Sequence, residues 1–487
     1  MNRKTKHKMK RKVIVLFVLF SLFPYVFFGG CDFFDLNAGS SQSVSFTTDM
    51  GILEFTRSGN TIRIPAGTYN VKSGYKKAFH IYLHGLKDVT IDATGVVFIF
   101  EDKFIDGLLV EKCANITIKG ATFYYKQKIF TQGIITQVGL DHVNFRLDDG
   151  YPEPVEIDDG NRNYIMCGIV YGKNGVIKPG TVDLYNSDNR VEPLSGGEYR
   201  LDCGNTVNIS VGDRIALRKG VSRTIITAGS EAVTFDGVQV LSGGIAFQED
   251  SGAGGHIYKN CLVKPLDKND LISTAADAFH STNVETGPLI ENCTFEKMGD
   301  DGANIHGRLY HVSTGGKKIF TVDNDQWTES FKTGDTIRVY RNGVELDTPA
   351  LKVTAVSRLR NGNFRVTVDG EAVFSNGDLV FTPNRVGAGF VIKNTTVRNN
   401  RARGFLIKSR DGTITGCTIE GSSMYAILID AELNNEWMWM ESMYAENITI
   451  SDCLIKNVNY NGYTSSQADV IVHPNTKNIT ITNLRQQ

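Results

Sequence analysis

From about residue 44 onward the chain is written in short runs where β-branched or aromatic residues take alternate positions, each closed by Asn, Asp or Gly. Asn115-Ile-Thr-Ile-Lys119, Asn447-Ile-Thr-Ile450 and Asn478-Ile-Thr-Ile481 show the pattern most plainly. Each run predicts a strand with one face buried, and the residue before it predicts a corner. No stretch carries the 3.6-residue period of a long amphipathic helix. The runs also repeat one another: Asn292 to His306 lines up without gaps on Asn394 to Lys408, and Gly416 to Asp430 follows the same template. A chain of such units buries its inward residues by stacking coil on coil. The expected fold is therefore all-β, a right-handed parallel β-helix.

Two stretches break the rhythm. Over residues 132–229 and 309–384 the repeat gives way to hairpin-like strands, among them Val211-Gly-Asp-Arg-Ile-Ala-Leu217 and Thr333-Gly-Asp-Thr-Ile-Arg-Val339. These predict two inserted antiparallel β, barrel-like modules, leaving coils at 44–131, 230–308 and 385–487. The second insertion starts directly after Gly307 and is expected to wall the coil beside it.

The N-terminus belongs to neither pattern. Arg3 to Lys12 is basic, Val13 to Phe28 is apolar, and Gly29-Gly30-Cys31 resembles the end of a bacterial lipoprotein signal. On that reading residues 1–31 are the signal with Cys31 lipidated, and 32–43 form a tether. The body then acts outside the cytoplasm, anchored to a bacterial membrane, either in the periplasm or at the cell surface. Net charge is −1 with no basic tract beyond the signal, which argues against a nucleic-acid partner. Forty-nine glycines against 11 prolines fit many tight turns. Of the 8 cysteines, Cys261, Cys293, Cys417 and Cys453 all open β-rich runs, so they are read as stacked core rather than disulfides. No Cys-x-x-Cys spacing occurs, and neither metal nor cofactor is expected. The oligomeric state is left open.

Chemistry concentrates in Met298-Gly-Asp-Asp-Gly-Ala-Asn-Ile-His-Gly307. Asp277 lies 24 residues before Asp301, about one coil, so the two carboxylates are expected roughly one strand spacing, ~4.8 Å, apart. The alignment places Asp277, Asp301 and Arg403 in one file, and His306, Lys408 and Asp430 in another. Grouped acids are costly unless chemistry or a cation uses them. Acids and bases on one exposed coil face suit glycoside hydrolysis, one carboxyl protonating the leaving oxygen and another activating water. Asp300 points away from its neighbour and is expected to be the acid, its pKa raised by Asp277 and Asp301. Inversion would call for a gap of roughly 6.5–9.5 Å between acid and base. Expected substrate contacts are Glu249, His280, His306, Arg403, Lys408, Glu432, Trp439 and Glu441. Glu249 and Asp250 are placed about one coil before Asp277. An Asp-Asp-Gly is often only a turn, and Asp clusters on coils can also bind calcium.

Asp277-Ala-Phe-His-Ser281, Thr286-Gly-Pro-Leu-Ile-Glu-Asn-Cys-Thr-Phe295 and Gly299-Asp-Asp-Gly-Ala-Asn-Ile-His-Gly307 resemble glycoside hydrolase family 110. The resemblance implies a β-helix with inserted β-barrel modules. It also implies an inverting exo-α-galactosidase acting on terminal α-1,3-linked galactose, with Asp277, Asp300 and Asp301 as the catalytic aspartates. The layout is more distantly similar to family 28 polygalacturonases, but Leu406 stands where that family carries an arginine, so a neutral sugar fits better. From the same pattern Asp300 is taken as acid and Asp277 with Asp301 as the water-activating pair. The alternatives are a polygalacturonase-like or other α-glycosidase, and a non-catalytic, calcium-dependent glycan-binding lipoprotein.

Overall fold

The computed structural model describes residues 43–74, 77–157, 167–181, 184, 190–219, 222–323, 331–342, 344–347, 350–431, 441, 445–460 and 468–487. The expected signal, Cys31, all but the last residue of the tether, and the site candidates Glu432 and Trp439 lie outside these residues. No helix long and apolar enough to cross a membrane occurs among the described residues.

The runs of alternating residues form one 31-stranded sheet that winds into a parallel β-helix. Three files of strands repeat along it. The first file runs Asp106–Glu111, Arg223–Ala228, Ile245–Asp250, Phe279–Thr282, Ala303–His306, Phe405–Lys408 and Ile427–Ile429. The second holds Ile257–Lys259, Leu289–Glu291 and Val391–Lys393, and the third Leu262–Val263, Thr294–Glu296 and Thr396–Arg398. At its N-terminal end Ser43–Thr48 folds antiparallel against Gly51–Ser58.

Sequence explains the winding locally. Asn260, Asn292 and Asn394 sit at coil corners with φ of 57, 54 and 50°. Asn tolerates this left-handed conformation better than other side-chain-bearing residues, so each turns the chain sharply into the next strand. Adjacent corners are also tied laterally, as where the Asn260 amide donates to Asp236 Oδ1 at 3.0 Å. Inside, Phe235, Phe247, Tyr258, Phe279 and Phe295 fill the coil, while Cys261, Cys293, Cys417 and Cys453 are buried free thiols.

Both interruptions are antiparallel sheets with cores of their own. Six strands between Phe130 and Arg218 enclose Ile135, Val143, Phe145, Val170, Leu201 and Ile215. Seven strands between Tyr310 and Phe381 close on themselves where Thr336–Arg341 pairs with Leu379–Phe381, making a barrel around Val312, Phe320, Val339 and Val366. The first is moored to the coil by Lys128 and Tyr151, both on Asp270. Arg385, 1% exposed, meets Asp335 and Glu285 at the base of the second.

Candidate active site

In the first file, Phe279, Ala303 and Phe405 face the core, so the residues that alternate with them face out. Outward register builds two parallel rows. One runs Gln248, His280, Asn304, Leu406; the other runs Asp250, Thr282, His306, Lys408. The segments entering these strands carry Asp277, Asp300-Asp301 and Arg401 to Arg403. One oxygen from each of Asp277, Asp300 and Asp301 lies within 4.8 Å of the others.

Backbone geometry locks this convergence. The Asp301 amide donates to Asp277 Oδ1 at 3.0 Å, and the Arg403 amide donates to Asp301 Oδ1 at 2.8 Å. Each carboxylate thus accepts from the main chain of the coil after it. Gly302 permits the close approach, since a Cβ there would sit 2.5 Å from the Gly404 carbonyl oxygen. Asn400 stitches the next turn by donating to the carbonyls of Asp300 and Arg403, at 2.9 and 2.8 Å.

The three acids have different partners. Asp301, 2% exposed, receives the Arg403 guanidinium at 2.7 Å. Asp277 Oδ2 accepts from His280 Nδ1 at 2.7 Å. Asp300, with 23% of its side chain exposed, is held between Arg401 at 2.8 Å and Arg218 at 3.1 Å. Below them Glu441 accepts from Lys408 Nζ at 2.6 Å and from the Asn304 amide at 3.1 Å. Lys408 also lies 3.6 Å from Asp430.

Electrostatics sort the trio. Burial pushes Asp301 up to about 8; Arg403 opposes the rise, and Asp300 and Asp277 add to it. Burial also raises Asp277, against the pull of His280. For Asp300 burial acts the same way, but Arg401, Arg218 and Arg403 outweigh it and hold the carboxyl below its ordinary range. The sequence expectation of a raised Asp300 is therefore corrected, because two guanidiniums flank it that spacing alone did not reveal. Glu441 is likewise held low against burial by the neighbouring imidazoles and Lys408.

Eight of the expected residues gather here: Asp277, Asp300, Asp301, His280, His306, Arg403, Lys408 and Glu441. Glu249 does not. It pairs in register with Ser281 rather than lying beside Asp277, and it faces into the coil with 0% exposure, accepting the Ser281 hydroxyl at 2.6 Å. It is out of reach of a ligand on the outer face. Sequence reasoning also missed Arg218, Arg401 and Asn400. Arg218 ends a strand of the first module, so that insertion reaches the acids; at the entry to the second, expected to be the wall, the coil residue Arg308 forms a main-chain β-bridge with Glu441. Arg401 was detectable, since it lies within the repeat that supplied Arg403.

The spacing of the three carboxylates would admit a cation. However, their oxygens already accept from two backbone amides, three guanidiniums and an imidazole. Those contacts occupy lone pairs that a calcium ion would otherwise use. Nor do the nearest oxygens show the wide gap expected for inversion.

No family model matches the chain. Among curated proteins it is similar to alpha-1,3-galactosidase B of Akkermansia muciniphila, 24% identical over 466 residues, covering 86% of this chain and 57% of that protein. It is also similar to alpha-1,3-galactosidase B of Bacteroides thetaiotaomicron, 23% identical, covering 80% and 65% respectively. Alpha-1,3-galactosidase A of Shewanella woodyi is 21% identical, covering 79% and 66%. The resemblance to these galactosidases thus extends over most of the chain, which spans less than two thirds of the length of the first two. Among solved structures, the A-module of a mannuronan C-5 epimerase from Azotobacter vinelandii matches over 88% of this chain and 89% of its own, at 9% identity and a TM-score of 0.27. The Streptococcus pneumoniae surface protein and adhesin PfbA matches over 88% and 90%, also at 9% identity and 0.27.

Proposed function

We propose that this chain is a glycoside hydrolase that removes terminal α-1,3-linked galactose from glycans, with Asp277, Asp300 and Asp301 as its acid and base. The observation that carries the reading is the convergence of three carboxylates from two coils within 4.8 Å on an outward face. The sugar and linkage are taken from the names of the relatives. A neutral sugar also suits the charge pattern: Arg218 and Arg401 are paired with Asp300, and Lys408 with Glu441.

The protonation pattern supports a division of labour different from the one expected of the sequence. Asp301, with its pKa pushed up to about 8, carries the proton for the departing oxygen. Asp300 and Asp277 are the ionised pair between which water is activated. The resemblance to family 110 implies attack opposite the leaving group and β-galactose as the first-formed anomer. Because the nearest carboxylate oxygens lie closer than the usual inverting gap, NMR of the first-formed anomer decides this, and α-galactose would replace inversion with retention.

Two measurements test this. Incubation with α-galactosides of defined linkage, with and without chelator, should release galactose from the α-1,3 substrate in both arms. Glycan binding without release, abolished by chelator, would replace the hydrolase with a calcium-dependent binding protein. For the roles, an aryl α-galactoside whose leaving group needs no proton should restore turnover to Asp301→Asn but not to Asp300→Asn. The opposite pattern would return the acid to Asp300. Lipid anchoring through Cys31 is part of the same proposal. Cys31→Ser should shift the protein from the membrane fraction to the soluble one.

A further inference from the structure

A run of hydrogen bonds below the acids plays no part in the hydrolytic scheme. His280 Nδ1 faces Asp277 Oδ2 at 2.7 Å, and its Nε2 faces His306 Nε2 at 3.0 Å. His306 Nδ1 lies 2.6 Å from the Gly307 carbonyl oxygen. A carbonyl only accepts, so His306 carries its proton on Nδ1. His306 is 2% exposed, and burial pushes its pKa to about 3, so it is neutral and its Nε2 is a bare lone pair. His280 must then be the donor to that lone pair. Its other nitrogen also donates whenever Asp277 is ionised. An imidazole that donates from both nitrogens is an imidazolium.

The surroundings suit that charge. Asp277, Glu441, Asp250, Arg308 and His306 are the titratable or charged groups around His280; Asp277 itself faces His280, Asp300 and the Asp301 segment. Burial disfavours the imidazolium, but Asp277 and Glu441 overcome burial and Arg308 together, leaving His280 above its ordinary value. The two rings meet edge to face, with centroids 5.0 Å apart and planes at 89°.

We propose that His280 is a positioning residue, held as an imidazolium by the fixed tautomer of His306, and that its charge keeps Asp277 ionised for water activation. This role deepens the hydrolase reading and rests on it. When Asp277 takes the proton of the attacking water, the O–H electron pair stays with the oxygen and forms the bond to the anomeric carbon. His280 retains both its protons throughout, so the Asp277–His280 pair passes from net zero to net plus one. The extra proton returns to solvent after product leaves.

The inference places His280 behind the carboxylate rather than against the sugar, and that difference can be measured. His280→Asn keeps a donor near the Nδ1 position without the charge. It should lower kcat roughly tenfold or more with KM little changed, and move the acid limb of kcat/KM upward by about one pH unit, as expected when a contacting opposite charge is lost. His306→Gln, which frees the tautomer, should move the same limb in the same direction by less. A raised KM with the limb unmoved would overturn the proposal and make His280 a hydroxyl contact.

Imidazole 15N NMR on the free protein, assigned with the two variants, reads the protonation directly. Near neutral pH both His280 nitrogens should be protonated, and His306 should be the neutral Nδ1–H form. Finding His280 singly protonated would overturn the proposal whether or not the protein cleaves galactosides. The expected NMR pattern in a protein that releases no galactose would instead remove the hydrolase reading and leave the charge assignment standing.

Discussion

Asp300 and Asp301 share a peptide bond, yet one is gripped by guanidiniums at both oxygens and the other is buried against a single arginine. Their opposite pKa shifts predict a bell-shaped pH dependence. Activity rises as Asp277 and Asp300 ionise, then falls as pH passes about 8 and Asp301 loses its proton. A kcat/KM profile without a basic limb near that pH would contradict the assignment. Glu249 gives a second prediction, this time of stability. Burial in the coil raises its pKa from an ordinary 4.5 to about 8. Below pH 4.5 the carboxyl is protonated whether folded or not, and it costs nothing. Between the two values folding must take up a proton, so stability falls by about 1.4 kcal/mol per pH unit. Glu249→Gln should flatten that slope in denaturant titrations at pH 5 and 7.5; an unchanged slope would mean the carboxylate is accommodated in charged form. The convergence of Asp277 on Asp301 was legible because a 24-residue period sets one beside the other. The side on which Glu249 points was not: its strand pairs 32 residues on, with Ser281. Coils of unequal length defeat counting by a fixed period.

The strands and turns of the coil account for what the sequence showed of the site, and the first inserted module for part of what it hid. Asn-led corners and alternating β-branched runs announced the stacked coils, since most inward positions had to be apolar. Arg218 could not be found this way. It ends the strand Arg214–Arg218 in a module with its own register and core, and only tertiary packing brings it 82 residues along the chain to Asp300. Its role can be tested against that of Arg401, which makes the shorter contact from the coil itself. Arg218→Ala should raise the Asp300 pKa, moving the acid limb of kcat/KM upward and reducing kcat roughly tenfold, with Arg218→Lys recovering part of the loss. If Arg218→Ala leaves the profile unmoved, the first module is a neighbour of the site and not a contributor.

The molecule as a whole is close to one-dimensional: each coil rests on its neighbours, and the modules are carried at coil edges. Protection should therefore be graded along the axis. Hydrogen exchange is expected to be slowest at Phe279–Thr282 and Ala303–His306, where nearly every side chain is buried, and fastest at Lys477–Thr482, where most are exposed. Uniform protection along the stack would speak for one cooperative unit instead.

The arginines that balance Asp300 and Asp301 stand 101 and 102 positions downstream, beyond the second module. A ribosome therefore delivers these two acids after Arg218 and His280 but well before Arg401 and Arg403. Until the coil bearing Arg401 and Arg403 closes, the growing stack ends in carboxylates that are only partly balanced, and their repulsion works against closing the last coil. Refolding should accordingly be faster in mild acid than at neutral pH, by stopped-flow fluorescence. The electrostatics proposed to serve the finished catalyst would then also act as a checkpoint on its assembly.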